Sequence, residues 1–397
     1  MYAIFWPKIV SPTSCHTACS SAVQSQYTGV SYGPTMSSSL ALALVPLFLT
    51  APTTPVITPT VVTQTFSEPA DADDPAIWVN QRDTERSVVL GTLKEGGLAA
   101  FDLRGRTIGV YPAPLPPAPD AKPGRFNNVD VLGDLAFVSD RGRDRIRVFQ
   151  VDEHGAKDVT NPATKPVFSG TEAEVDDQHT VYGLAAGRIN GHDVVVTSRR
   201  NETSIALLNV VKGRNYDTKK VSTLDLPSTF TLPNGEQWTV CGEPGEGPQV
   251  EGMVIDERTN TLYAAQEDVG IWRIPLRSTG FGKPQLVDKV RTWGAPQRYN
   301  PETEECEADG PNPGFGGKWL EADAEGLTIA NDVLLASSQG DSRFVAYRKA
   351  DMKPLRDFRV KDVEHSDGAD IVLGKLNLLV VHDGERPDGT GFAFIRF

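Results

Sequence analysis

The sequence has few cysteines and almost no helical periodicity, and both shortages restrict the fold. Of the four cysteines, Cys241 and Cys306 lie in long polar connections without a Cys-x-x-Cys motif or a nearby pair of histidines, so a zinc site is not expected. From residue 70 to residue 397, apolar residues rarely recur at the spacing of an amphipathic helix. They form short runs between Gly, Asp and Asn turns instead, which predicts an all-β domain.

Basic residues are in the minority. The chain has 39 Lys and Arg residues against 52 Asp and Glu residues, which gives a net charge of −13. A field of this sign repels nucleic acids and anionic membranes, so neither is an expected partner. A polyanionic substrate would need a local device that reverses the sign, and bound calcium ions are such a device.

The one long apolar run lies near the N-terminus. Residues 36–51 resemble the apolar core of a secretion signal, although no positive charge follows Met36 directly, and the run is too short for a comfortable membrane span. We therefore expect export to the extracellular space, with residues 1–65 forming a signal segment and linker and residues 66–397 forming the domain. An edge strand within residues 51–65, or a terminal strand in place of the signal, remains an alternative.

The cysteines fit this expectation of export. Cys15 and Cys19 fall in the part that we expect to be removed, which leaves Cys241 and Cys306. An even pair in an exported protein favours a disulfide. Two buried free thiols remain the alternative.

Polar residues recur at the start of the apolar strands. The openings lie at Asp74, Asn128, Tyr182, Glu251, Glu325 and Asp367. They define six units, whose unequal lengths reflect insertions at residues 204–248 and 277–319. Repeated units of this kind, with inner strands that converge on a channel, predict a six-bladed β-propeller. A two-sheet sandwich could hold as many strands, but it would not explain why the polar clusters recur at the same place.

One of these openings carries three carboxylates, on Asp71, Asp73 and Asp74. Like charges this close disfavour joint ionisation unless a proton or a cation neutralises them. Carboxylate, amide and carbonyl oxygens without thiols or imidazoles are the ligands that calcium takes. The pattern therefore predicts a hard metal ion where the repeats converge.

The motifs also resemble those of a known family, in that family's order along residues 66–397. They are Asp73-Asp74-Pro75-Ala-Ile-Trp78, Asn127-Asn128-Val-Asp130, Val181-Tyr182-Gly183, Glu251-Gly252-Met253, Gln266-Glu267-Asp268, Asp323-Ala-Glu325-Gly326 and Ser338-Gln339-Gly340. In these motifs the chain is similar to the β-propeller phytases, bacterial calcium-dependent 3-phytases that release phosphate from inositol hexakisphosphate.

The resemblance implies a site for several calcium ions and a set of catalytic residues. The implied calcium ligands are Asp73, Asp74, Asp130, Tyr182, Glu251, Asp323, Glu325, Gln339, Asp367 and Asp383. The implied catalytic residues are Lys94, Arg141, Arg199, Glu267 and Tyr182, with the three bases on phosphate and Glu267 on the attacking water. Taken singly, each of these residues could be an ordinary turn residue or cap, and a paired turn base is the reading that we favour for Arg143, Arg145 and Arg200.

The chain departs from the family pattern at three places. Glu95 stands where a second lysine is expected, and Arg199-Arg200 replaces a Lys-Glu pair. Near the C-terminus, residues 381–385 replace an amide-containing stretch that helps to hold a structural calcium ion, so that ion is expected to be weak or absent, with Asp383 the remaining ligand.

The expected reaction is direct hydrolysis of phytate, bound as its calcium complex, by a monomer. The motif Arg-His-Gly-x-Arg-x-Pro and a Cys-x5-Arg loop are both missing, which argues against covalent phosphatase chemistry. A calcium-dependent propeller lactonase or esterase and a secreted propeller that only binds a partner remain alternatives. A lactone has little use for Lys94, Arg141 and Arg199.

Overall fold

A computed structural model describes residues 54–374 and 376–397. The compact unit analysed below spans Thr54–Arg396. The predicted signal at residues 36–51, together with Cys15 and Cys19, lies outside the described residues. No helix in the described ranges is long and apolar enough to cross a membrane.

Six antiparallel sheets, here called blades 1 to 6, follow one another along the chain. From the inside outwards, blade 1 contains the strands Pro75–Trp78, Val88–Thr92, Leu98–Phe101 and Thr107–Tyr111. Blade 2 contains Phe126–Leu132, Leu135–Asp140, Arg145–Asp152 and Gly155–Asp158. Blade 3 contains Val181–Ile189, His192–Arg199, Ser204–Lys212 and Tyr216–Asp225. Blade 4 contains Val250–Asp256, Thr261–Gln266, Gly270–Arg277 and Gln285–Lys289. Blade 5 contains Ala324–Ala330, Val333–Ser338, Arg343–Arg348 and Lys353–Val360. Blade 6 contains Ala369–Val372, Leu378–Arg386, Gly389–Arg396 and Val61–Val62.

The remaining elements are short. The strands are Val56–Ile57, Gly280–Phe281, Thr229–Thr231, Gln237–Thr239, Gln297–Asn300 and Glu305–Ala308, and the 3-10 turns are Thr84–Arg86, Arg141–Arg143, Glu172–Glu174 and Gln339–Asp341.

The innermost strands form a closed ring. The first strand of each blade contacts the first strand of the next, and that of blade 6 returns to that of blade 1. Hydrophobic cores fill the spaces between neighbouring blades; for example, Phe101 of blade 1 meets Phe392 of blade 6 edge to face, with ring centroids 5.7 Å apart. Because both faces of a blade are covered, strands such as Val88–Thr92 are buried throughout. The prediction of a six-bladed β-propeller is confirmed.

Residues 56–62 supply outer strands to blades 5 and 6. Blade 6 takes its outermost strand from Val61–Val62, which pairs antiparallel with Gly389–Arg396, while Val56–Ile57 runs parallel to the outer strand of blade 5. Part of the stretch interpreted as a linker or an edge strand is therefore edge strand, and the compact unit begins at Thr54 rather than at residue 66. The reason is that the last blade has only three strands of its own after Gly368, so its open edge takes a partner from the other end of the chain.

The two large insertions are joined to each other. Each contains a hairpin, Thr229–Thr231 with Gln237–Thr239 and Gln297–Asn300 with Glu305–Ala308. A disulfide links Cys241 to Cys306, as the cysteine pair favoured. Phe230, Trp238 and Trp293 pack together and join the insertions to the hydrophobic core of blades 3 to 5.

Bulges and glycines shape the start of the innermost strands. In blades 2 to 5 the register with the second strand shifts just after the first residue, as between Val250 and Met253. A bulge re-aims the side chain beside it. In blades 3 to 6 a glycine follows the polar residue, as Gly252 follows Glu251. A Cβ at Gly252 would lie 2.2 Å from the carbonyl oxygen of Glu325 in the following blade. The inner strands meet more closely there than any side chain allows.

We predict that Gly252→Ala destabilises the propeller. The added methyl group must push blades 4 and 5 apart, and overpacking of this kind costs about 1–3 kcal/mol of unfolding free energy. Gly242→Ala is the matched control, because a Cβ there would meet no atom within 4 Å. Urea unfolding of both variants and the wild type tests this. Equal midpoints for Gly252→Ala and Gly242→Ala would show that the inner strands are not in close contact.

Candidate active site

Three buried glutamates meet at the mouth of the channel. Glu251 and Glu325 begin the innermost strands of blades 4 and 5, and Glu267 follows the second strand of blade 4. Each offers a carboxylate oxygen, and these oxygens lie within 4.8 Å of one another. Burial raises the pKa of all three well above the usual range, and the charges of neighbouring carboxylates raise it further.

Two oxygens of this glutamate cluster have no hydrogen-bond partner. Both oxygens of Glu251 are engaged, one by Asn127 Nδ2 at 2.7 Å and the other by the Tyr182 hydroxyl. Glu267 Oε1 and Glu325 Oε2 are buried without any partner. A buried carboxylate oxygen left unpaired is costly, and a cation bound between the glutamates, together with its water, would satisfy both. The donors are oxygens alone, so the residues present fit calcium.

Asp323 and Asp268 extend this cluster on one side. The charge of Asp323 raises the pKa of Glu267, and burial followed by the charge of Asp323 raises the pKa of Asp268 to about 7. The backbone joins the same elements, because Ala324 N, next to Asp323, donates to Glu267 O at 2.9 Å. The predicted ligands Asp323, Glu251 and Glu325 are therefore brought together, and Asp268 is an acid that the sequence analysis did not single out.

Asp73 and Asp367 form a second acidic group. Gln339 Nε2 donates to Asp367 Oδ1 at 2.5 Å, so these two predicted ligands are in contact. Burial raises the pKa of Asp73 to about 6, against the opposing effect of Lys94. His382 Nδ1 accepts from the backbone N–H of Asp367 at 3.1 Å, and burial lowers the pKa of His382 to about 4, which keeps the imidazole neutral. His382 was not predicted as a site residue, since nothing in the sequence shows that it faces Asp367.

Asp74 and Asp130 join neighbouring inner strands. Asp74 Oδ2 accepts from Val129 N at 3.0 Å, and Asp130 Oδ2 accepts from Ala186 N at 2.7 Å. Asp370, which was not predicted, makes the same contact with Ile77 N at 2.8 Å. All three aspartates line one cavity between the inner strands.

Arg141 is a buried cation without a carboxylate partner in the described part of the chain. Its side chain reaches Asn127 Oδ1 and the carbonyl oxygen of Asp177, both at 3.4 Å, and its guanidinium lies 5.9 Å from the centre of the Tyr182 ring. Burial and, after it, the charges of Arg200 and Arg125 lower the pKa of Arg141 to about 10. Such a group can accept an anionic ligand.

Lys94 lies beside the second acidic group. Its Nζ is 2.5 Å from Asp71 Oδ2. Burial alone would lower the pKa of Lys94, but the charges of Asp73 and Asp71 outweigh it and leave the pKa raised. The ammonium therefore stays charged.

Arg199 is directed away from the glutamate cluster. Its Nε donates to the carbonyl oxygen of His179 at 2.8 Å, its Nη1 lies 3.3 Å from Glu202, and its guanidinium lies over Phe168. Its neighbour Arg200, interpreted from sequence as a paired turn base, contacts the amide of Gln178 and lies close enough to Arg141 to lower its pKa. Alternating strand geometry sends adjacent side chains to opposite sides, and sequence alone does not say which arginine faces the site.

The other basic residues are paired. Arg143 and Arg145 both bind Glu172, in agreement with their interpretation as paired turn bases, although Arg143 is buried rather than exposed. Asp383, expected to be a calcium ligand, is buried and its Oδ2 lies 2.6 Å from Arg386 Nε.

Comparisons with known proteins agree with this geometry. A family model described as Phytase matches residues 36–228. A 3-phytase of Bacillus subtilis (strain 168) is 28% identical over 352 residues, which cover 80% of this chain and 75% of that protein.

The solved structures similar to this chain include a calcium-binding protein, regucalcin, from Agrobacterium tumefaciens str. C58. It has a TM-score of 0.48 at 11% identity and covers 86% of this chain and 95% of that chain. The Cps50 (Swd1) β-propeller domain of Myceliophteria thermophila has a TM-score of 0.41 at 9% identity, covering 82% and 84%. Likenesses this distant carry no weight for function. The family model and the Bacillus relative agree with each other, and together they support a β-propeller phytase, a phosphatase that hydrolyses phytate.

Proposed function

We propose that the chain is a secreted, calcium-dependent 3-phytase that attacks a phosphate of myo-inositol hexakisphosphate directly with water. One observation carries the proposal: buried carboxylates with unpaired oxygens stand beside a buried guanidinium that has no carboxylate partner in the described residues. The first part suits cations and the second suits an anion. A phosphate held among calcium ions needs both.

The residues that would hold calcium are Glu251, Glu325, Asp323, Asp73, Asp367 and Gln339. Several ions are proposed, because these residues form two acidic groups rather than one. When bound, calcium neutralises the phosphate charge and supplies a water of lowered pKa.

The chain's own residues orient the substrate. Arg141 would pair two of its N–H groups with phosphate oxygens, and its burial removes the competition from water. Tyr182 lies between Arg141 and Glu251, and burial raises the pKa of its phenol well above the usual value, so the hydroxyl remains a donor. Lys94 adds a second positive charge from blade 1.

Glu267 is the proposed group for the attacking water. Its Oε2 accepts from Gln249 Nε2 at 3.0 Å, which fixes the carboxylate, and its Oε1 is free of other partners. The free oxygen would accept a proton from the water that attacks the phosphorus in line, while the P–O bond to the inositol oxygen breaks and that oxygen takes up a proton from solvent. Arg199, held by Glu202, is proposed to contact a more distant phosphate of the same substrate.

The substrate is proposed to arrive as calcium phytate, and the protein to act outside the cell as a monomer. The disulfide between Cys241 and Cys306 supports an oxidising environment. A lactonase or esterase on the same fold is less well supported, because a neutral lactone has no use for the unpaired charge of Arg141. A propeller that only binds a partner has no use for the free oxygen of Glu267.

We predict that Glu325→Gln is more stable than the wild type without calcium and less stable than the wild type with calcium. Without calcium, the variant should melt higher than the wild type, because one of three crowded carboxylates is gone. With calcium it should melt lower, because a ligand is lost; saturation at about a hundred times Kd stabilises a protein by about 2.7 kcal/mol. Thermal melts in chelator and in excess calcium test this, with the exposed Glu85→Gln as control. A wild-type melting temperature that is the same in chelator and in excess calcium would contradict the proposed site.

We predict that Arg141→Ala keeps the fold and loses activity. Removing a preorganised donor to a charged phosphate should lower kcat/KM for phytate by about 10²–10³-fold. Phosphate release and a thermal melt check the two parts. Arg188→Ala, which removes an exposed partner of Asp193, is the matched control and should be fully active. Full activity in Arg141→Ala would remove this residue from the site.

A further inference from the structure

The first carboxylate of the loop 71–74 has no place in the proposed calcium site. Asp71 Oδ2 lies 2.5 Å from Lys94 Nζ, and its Oδ1 accepts from Thr390 Oγ1 at 2.9 Å. Thr390 Oγ1 in turn accepts from Ala72 N at 2.7 Å. Asp71 is therefore fixed from blade 6 and points at a lysine of blade 1.

Lys94 needs such a partner. Its ammonium is a compact charge on a flexible four-carbon stem, and the carboxylates of Asp73 and Asp367 act on the same ammonium. Without Asp71, the ammonium would be drawn to Asp73 and Asp367, where it would compete with calcium. When Asp71 is present, it binds one N–H of the Lys94 ammonium at the edge of the second acidic group. The other N–H groups of the ammonium then stay available for phosphate.

We propose that Asp71 is a positioning residue for Lys94: it keeps the ammonium off the calcium ligands and oriented for phosphate. The proposal rests on the proposed function. It assigns Asp71 an effect that passes through Lys94 alone, which separates it from a calcium ligand.

The test compares Asp71→Asn, Lys94→Ala and the double variant. Asp71→Asn should raise KM for phytate about tenfold with kcat changed less than about twofold, and it should weaken calcium binding in a titration several-fold. In the Lys94→Ala background, Asp71→Asn should change neither quantity by more than about twofold. The number of calcium ions bound per chain should not change.

Two results would overturn the positioning role. An unchanged KM and calcium affinity in Asp71→Asn would show that Lys94 needs no partner. A loss of calcium affinity that persists in the Lys94→Ala background, or one fewer bound ion, would make Asp71 a ligand. A wild type without phytate hydrolysis would overturn the proposed function instead, and the calcium titrations would still decide the role of Asp71.

A different observation concerns Arg386. Its guanidinium lies in a partly buried set of oxygens. Its Nε contacts Asp383 Oδ2 at 2.6 Å, and its Nη atoms donate to the carbonyl oxygens of Thr63 at 3.1 Å, Phe392 at 3.2 Å and Gln64 at 3.4 Å. One carboxylate and three carbonyls are ligands that calcium takes. Here the chain supplies the positive charge itself.

The surrounding backbone is shaped for this guanidinium. A Cβ at residue 391 would lie 2.1 Å from Arg386 Nη1, and Gly391 leaves that space open. The strand register shifts between Asp383 and Arg386, which allows both side chains to meet. The oxygens belong to the two adjoining strands of blade 6 and to the segment that follows Val61–Val62, so the contact joins the two ends of the folded chain.

We infer that Arg386 is the resident cation of this oxygen set and that it closes the propeller without a metal ion. Asp383, an expected calcium ligand, is then the partner of Arg386. This inference does not depend on the proposed function.

The test uses Arg386→Met, Asp383→Asn and the double variant, melted in chelator. Each single variant should melt about 5 °C or more below the wild type, because it leaves a buried charge unpaired, and the double variant should melt no lower than either. Arg396→Met, at an exposed position of the same blade, is the control. Asp383→Asn should bind as many calcium ions as the wild type. Losses of melting temperature that add in the double variant, or one bound calcium ion fewer in Asp383→Asn, would overturn the inference. If Arg386→Met fails to fold, Arg386→Lys replaces it, because lysine keeps the charge and loses the fork of the guanidinium. Arg386→Lys should melt between Asp383→Asn and the wild type.

Discussion

Repulsion between buried carboxylates at the channel mouth is the constraint on which the rest of the structure depends. The ring of blades brings one polar side chain from the start of each inner strand to the same place: Asp73, Asn127, Tyr182, Glu251, Glu325 and Asp367. Hydrophobic cores between the blades hold that ring closed, so the acids cannot move apart. Their charge must be neutralised where it stands, by protons or by cations. The proposed function uses this, because the same cations would bind the phosphate of the substrate.

The chain limits part of this repulsion with its own groups. Asn127 and Tyr182 donate to Glu251, and Lys94 stands between Asp71 and Asp73. At the far side of blade 6, Arg386 neutralises Asp383. In the described part of the chain, the buried carboxylate oxygens without a hydrogen-bond partner belong to the glutamate cluster and to Asp140 and Glu172, which lie beside arginines. The unpaired oxygens of Glu267 and Glu325 thus mark the place where a cation is most needed.

Much of this architecture could be predicted from the sequence, because each blade repeats the same opening. Six openings gave six blades, and the even pair Cys241 and Cys306 gave the disulfide. The directions of individual side chains could not be predicted. Arg199 turns to Glu202 while Arg200 lies near Arg141, and a bulge brings Arg386 onto Asp383 three residues away. These outcomes depend on strand register and on contacts between distant parts of the chain, which spacing within one motif does not encode.

The most direct test of the account is phosphate release from phytate by the purified protein, measured in excess calcium and in chelator, with a lactone hydrolysed in parallel. The account predicts rapid phosphate release that requires calcium and no comparable hydrolysis of the lactone. Phosphate release that persists in chelator would contradict the calcium site, and lactone hydrolysis without phosphate release would contradict the assignment of the buried guanidinium of Arg141 to phosphate.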